Sequence, residues 1–146
     1  MRLPRVLTPL CSLAAMNAAS ACSCTRSTIE QGLADKDTIV FAADVDAART
    51  VMHGDEPWIE LDLSQVLPYE EGRLPTDKVR TPAQRSMCGK PVLVPERYWF
   101  FTSLDGVFYS CSATAPVREG NTGKLTLHVK DRLIEMQRNP EAAPHL

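Results

Sequence analysis

The stretch Cys22-Ser23-Cys24 constrains this chain more than any other. Two cysteines separated by one residue cannot conveniently bond to each other, so each must find a partner far along the chain. Downstream only Cys88 and Cys111 remain. A chain built this way has an early segment fastened twice to its body, whichever of the two pairings is made. The usual two-to-four-residue spacing of a zinc knuckle is wider than this one, which argues against a four-cysteine zinc site and for disulfides.

What precedes the pair sets the redox context. Arg2 and Arg5 form a short basic region, Val6 to Met16 is an apolar run, and Ala19-Ser20-Ala21 is a small-residue cleavage site, so residues 1–21 read as a secretory signal peptide. Interrupted by Pro4 and Pro9, that run is too brief to span a bilayer as a mature helix, and nothing later is as hydrophobic. We therefore expect no transmembrane segment and a secreted protein, extracellular or periplasmic. Cleavage after Ala21 would discard Cys11 and leave an even count of four cysteines, the pattern of two disulfides in an exported chain.

Cleavage would also remove two of the 16 basic residues, so that 14 face 18 acidic ones, a formal charge of −4. Nucleic acid and anionic membrane both require a concentrated basic face, so this balance argues against them as partners, and we expect no nucleic acid. With 44% hydrophobic residues in 146, the chain has enough apolar material for one globular domain. We place that domain at 22–138 and a tail at 139–146.

The domain reads mostly as short strands. Ser27 followed by Glu30 is a capping-box pattern that opens a helix of one or two turns, weakened by Gly32. From Thr38 to Val45, Ile39, Phe41, Ala43 and Val45 alternate with Val40, Ala42 and Asp44, the pattern of a strand with one buried face. After the turn Met52 to Pro57, Trp58 to Val66 resumes with Ile59, Leu61 and Leu63 inward, making a β-hairpin. Pro68 to Thr76 is a loop, Lys78 to Thr81 a short strand ended by Pro82, and Ala83 to Met87 a connector. Arg97 to Thr102 is a strongly aromatic core strand, Leu104-Asp105-Gly106 a tight turn, and Val107 to Tyr109 the last strand. Leu125, Val129, Leu133 and Met136 recur at helical spacing, which predicts a C-terminal helix over Leu125 to Gln137. Five short strands with a small helix before and a longer one after suit an all-β, five-stranded Greek-key barrel better than a sandwich.

No stretch carries the signature of catalysis. There is no nucleophile motif, phosphate loop or cofactor fingerprint, and we expect neither an enzyme nor a cofactor. His53, His128 and His145 are isolated in sequence. Asp44, Asp46, Glu60 and Asp62 alternate on outward faces of adjacent strands, where solvation explains them. Tyr98, Trp99, Phe100 and Phe101 could stack bases, but in an acidic domain with 6% aromatic residues they are needed for the core. Trp58, beside a turn, fits either the end of the barrel or an exposed contact.

Together these features resemble the netrin-like domain, in particular the N-terminal inhibitory domain of the tissue inhibitors of metalloproteinases. The resemblance rests on Cys22-Ser23-Cys24 directly after the signal peptide, the strand Ile39 to Val45, Ser86-Met87-Cys88-Gly89, the aromatic strand Tyr98 to Phe101, and Cys111 after it. It implies a five-stranded OB-fold barrel with bridges Cys22 to Cys88 and Cys24 to Cys111. It further implies a binding module whose partner is a secreted zinc metalloprotease. In those inhibitors the α-amine and carbonyl of the first cysteine chelate the protease zinc, a role that falls to Cys22. Ser23 would then enter the specificity pocket, and Ser86, Met87 and Cys88 would form the flanking ridge. The chain lacks the family's third cysteine pair in this domain and its disulfide-rich C-terminal domain, and the hairpin between its first two strands is short.

One alternative competes for the same residue. Ala19-Ser20-Ala21-Cys22 resembles a lipoprotein processing site, with Ala19 where leucine is common. Lipidation at Cys22 would make the chain an envelope or surface lipoprotein whose barrel is an interaction domain. Thioether formation would consume the Cys22 sulfur, and N-acylation would block the chelating amine.

Overall fold

A computed structural model of the protein describes residues 22–118 and residue 125. The proposed signal peptide, the tail at 139–146 and all of the expected C-terminal helix except Leu125 lie outside the described residues, as do His128 and His145. Leu125 itself is helical and buried.

The described chain is mostly β. A short helix, α1 (Ile29–Ala34), precedes five strands: β1 (Ile39–His53), β2 (Glu56–Pro68), β3 (Arg80–Pro82), β4 (Glu96–Thr102) and β5 (Ala115–Pro116). They form one antiparallel sheet in the order β3-β2-β1-β4-β5. Among the described residues no helix is long and apolar enough to cross a membrane.

α1 begins one residue later than expected. Thr28, not Ser27, is its N-cap: the Thr28 hydroxyl accepts from the Gln31 N–H at 3.2 Å, and the Gln31 side chain accepts from the Thr28 N–H at 2.8 Å. Thr28 and Gln31 have the same three-residue spacing as Ser27 and Glu30, so the pattern alone permits both registers.

The hairpin of β1 and β2 is longer than the alternation suggested. The strands pair from Phe41↔Pro68 up to His53↔Glu56, so the expected turn over Met52 to Pro57 contracts to Gly54-Asp55. Two register shifts, between Ala42 and Asp44 and between Val45 and Ala47, bend the ribbon. β4 pairs only with Ile39 to Val45, leaving the outer half of β1 bound on one side, to β2 alone.

Closure comes from chain just beyond β4. The Arg80 N–H donates to the Gly106 carbonyl at 3.0 Å, and the Phe108 N–H donates to the Arg80 carbonyl at 3.1 Å, making a parallel bridge between Arg80 and Val107. β3, at one edge of the sheet, thereby meets the segment after β4 and the sheet curls into a barrel-like form. Gly106 permits the approach, with φ of 80° and a Cβ position only 2.7 Å from the Lys78 carbonyl oxygen. The expected last strand, Val107 to Tyr109, is reduced to this single bridge, and the fifth strand is the two-residue β5 beyond Cys111. The Thr76 N–H donates to the Leu104 carbonyl at 2.8 Å alongside, so the two segments meet through a few hydrogen bonds without extended pairing.

Both faces of the sheet are covered, which corrects the one-sided reading of β1. Ile39, Phe41, Ala43, Val45, Leu61, Leu63, Tyr98, Phe100 and Phe108 fill the interior, where the Phe41 and Phe100 rings stack with centroids 5.2 Å apart. Val40, Ala42, Leu67, Trp99, Phe101 and Leu125 form a second cluster outside, against Ile29 and Leu33 of α1. Period-two alternation thus sends the four aromatics of β4 to two different cores. Each is at most 3% exposed, so they offer no stacking platform.

Candidate functional site

The two disulfides join Cys22 to Cys88, with Cα atoms 5.3 Å apart, and Cys24 to Cys111, with Cα atoms 5.9 Å apart. The bridges lie side by side, the Cys22 and Cys24 sulfurs being 3.8 Å apart. The early segment is therefore fastened twice, and Ser23 stands exposed between its two anchors. The sulfurs of Cys22, Cys24 and Cys88 all lie within 4.8 Å of one another, a spacing that could suit a metal. Each is already bonded to another sulfur, however, and a metal is held by thiolates.

Local backbone chemistry presents Cys88 to its partner. Within the expected connector Ala83 to Met87, Arg85–Met87 forms a single 3₁₀ turn, with the Met87 and Gly89 N–H groups both donating to the Gln84 carbonyl. Cys88 then takes a left-handed conformation, with φ of 64°, which ends the turn and reverses the chain. Gly89 follows because nothing larger fits: a Cβ there would lie 2.0 Å from the Pro82 carbonyl oxygen. On the other side the Ser110 N–H donates to the Cys88 carbonyl at 2.7 Å, and the Ser27 N–H donates to the Cys111 carbonyl at 2.7 Å. Backbone hydrogen bonds thus hold the partners of both bridges.

Of the five residues assigned to the binding edge, the structure brings Cys22 and Cys88 into covalent contact. Ser23 is exposed, Ser86 is exposed with its hydroxyl 3.3 Å from the Gln84 side-chain oxygen, and Met87 is half-buried.

The outward carboxylates are engaged rather than merely solvated. Asp44 accepts two hydrogen bonds from Arg97, at 2.7 and 3.2 Å. Asp46 accepts from the Ser64 hydroxyl, Glu60 pairs with Arg49, and Asp62 lies between Arg49 and Lys78. The bond to Glu60 holds the Arg49 pKa above its ordinary value. Trp58 is half-buried, with His53 edge-on to its ring at 5.9 Å and the Arg80 guanidinium 5.8 Å from its centroid. These contacts occupy Trp58 and His53 with each other and leave neither isolated.

Two residues escaped the sequence reading. Arg26 and Lys90 line one cleft beside the staple, although they are 64 positions apart in sequence. The available signal was that each follows a bridged cysteine by two residues, Cys24 and Cys88, which matters only once the bridges bring those cysteines together.

No family model matches the chain, and no curated protein matches it.

Proposed function

We propose that the chain is an exported netrin-like module with an OB-fold barrel, which inhibits a zinc metalloprotease through a mature N-terminus at Cys22. The observation that carries this reading is the Cys22–Cys88 bridge with Ser23 exposed beside it. The sheet order and the parallel contact of Arg80 with Val107, which closes the sheet, support the barrel.

The chemistry follows from cleavage after Ala21. A catalytic zinc keeps one coordination position open for water or substrate. The neutral α-amine and the carbonyl of Cys22 are spaced to make a five-membered chelate there and displace the water. Ser23 then points into the specificity pocket, and Ser86, Met87 and Cys88 run alongside. An unfastened terminus would have to be ordered at binding, at about 1–2 kcal/mol per residue. The staple removes much of that cost in advance.

The bridge also bears on the lipoprotein alternative, because one sulfur cannot be both thioether and disulfide. Intact mass separates the two forms: residues 22–146 less four hydrogens fit the inhibitor, and an added diacylglycerol fits the lipoprotein. Activity is tested by adding one alanine before Cys22. The extended protein is expected to lose all metalloprotease inhibition while its thermal stability stays nearly unchanged; equal inhibition by both forms would rule out chelation.

A further inference from the structure

A cleft of about 470 Å³ runs beside the stapled segment, with Arg26, Ser27, Thr28, Lys90, Ser112 and Thr114 among its walls. The bridges build it. Arg26 lies two residues after Cys24 and Lys90 two after Cys88, so joining Cys22 to Cys88 and Cys24 to Cys111 delivers both cations to one place. No carboxylate among the described residues lines this cleft.

Most of the domain's other described cations are paired. Arg49, Arg73, Lys78, Arg80, Arg97 and Arg118 each meet a carboxylate, whereas among the described residues no ion pair involves Arg26, Lys36, Arg85 or Lys90, and of these four only Arg26 and Lys90 share a cleft. Lys90 is held in place: its ammonium donates to the Ser112 carbonyl at 3.0 Å, and its backbone N–H donates to the buried Thr81 hydroxyl at 3.0 Å. An ammonium has three donors, so two remain for a ligand. Burial first, and the positive charge of Arg26 second, push the Lys90 pKa below its ordinary value. Two like charges lining one cleft, with Lys90 half-buried, repel each other, a cost that a bound anion would relieve.

We propose that this cleft is an oxyanion site, in which one phosphate, sulfate or carboxylate group accepts hydrogen bonds from both the Arg26 guanidinium and the Lys90 ammonium. The guanidinium fork can take two oxygens of such a group, and the ammonium supplies a point charge on the other side. The site stands independently of the protease reading, since it needs only the two bridges.

The test uses the oxidised mature protein, ¹⁵N-labelled, titrated with inorganic phosphate and separately with acetate at constant ionic strength. Saturable shifts are expected at the amides of Ser27, Lys90 and Ser112, with affinity at least about tenfold lower in R26Q and in K90Q. Arg26 is exposed, so R26Q leaves the fold intact and remains decisive even where K90Q does not fold. Tighter binding of phosphate identifies a tetrahedral anion, and binding of acetate at least as tight identifies a carboxylate; either supports the site. Shifts that never saturate, or saturable binding unchanged in R26Q, would mean an adventitious ion only and overturn the proposal.

Discussion

At the scale of single residues, the staple depends on backbone positions more than on reactive side chains. Gly89 lies against the Pro82 and Gln84 carbonyl oxygens, which a Cβ would approach to 2.0 and 2.9 Å. Backbone oxygens cannot swing aside as a side-chain tip can, so the 84–89 turn itself would have to move. Gly89→Ala is therefore expected to destabilise the fold by at least about 2 kcal/mol, measured by denaturant unfolding. A loss below about 0.5 kcal/mol would show that the turn yields easily. Cys22, Cys24, Cys88 and Cys111 were conspicuous in the sequence because of their spacing. Gly89 was visible only as part of a motif, since its role lies in a contact with Pro82 across the turn.

At the scale of elements, the helix and the hairpin show where local pattern stops deciding. Thr28 and Gln31 form the capping box of α1, and Ser27 is occupied through its backbone N–H by the Cys111 carbonyl. With its N–H taken, Ser27 cannot complete a capping box, and the helix starts one residue later than the Ser27 pattern implies. Thr28→Ala should then cost about 1 kcal/mol of stability, and Ser27→Ala only a few tenths. Thermal unfolding of the pair checks the register, and the reverse order of effects would move the cap back to Ser27. In β1 the alternation of Ile39, Phe41, Ala43 and Val45 was legible, but the burial of Val40 and Ala42 was not. Those two are covered because α1 and Leu125 pack on the outer face, a long-range event that period-two patterning does not encode.

At the scale of the whole molecule, the bridges close loops that span most of the domain, with sequence separations of 66 and 87 residues. In the chain-entropy view each could stabilise the fold by about 4 kcal/mol. The double variant C24S/C111S is expected to lose stability on the order of 2–4 kcal/mol in denaturant unfolding. A loss under about 1 kcal/mol would show that the barrel-like sheet holds the early segment without help. The same variant should loosen the Arg26 side of the cleft, because the bridge is what brings that residue to Lys90.

By itself the sequence determined the β-rich class, the hairpin, the aromatic core strand, and the need for Cys22 and Cys24 to find distant partners. These rest on periodicity and on spacing within a few residues, which act locally and are written in order along the chain. Only the tertiary structure decided that Cys22 meets Cys88 and Cys24 meets Cys111, that the sheet is buried on both faces, and that Arg26 and Lys90 share a cleft. Each of these joins residues far apart in sequence. Such meetings follow from how the sheet curls, which depends on the summed packing of both cores and is not contained in any one stretch.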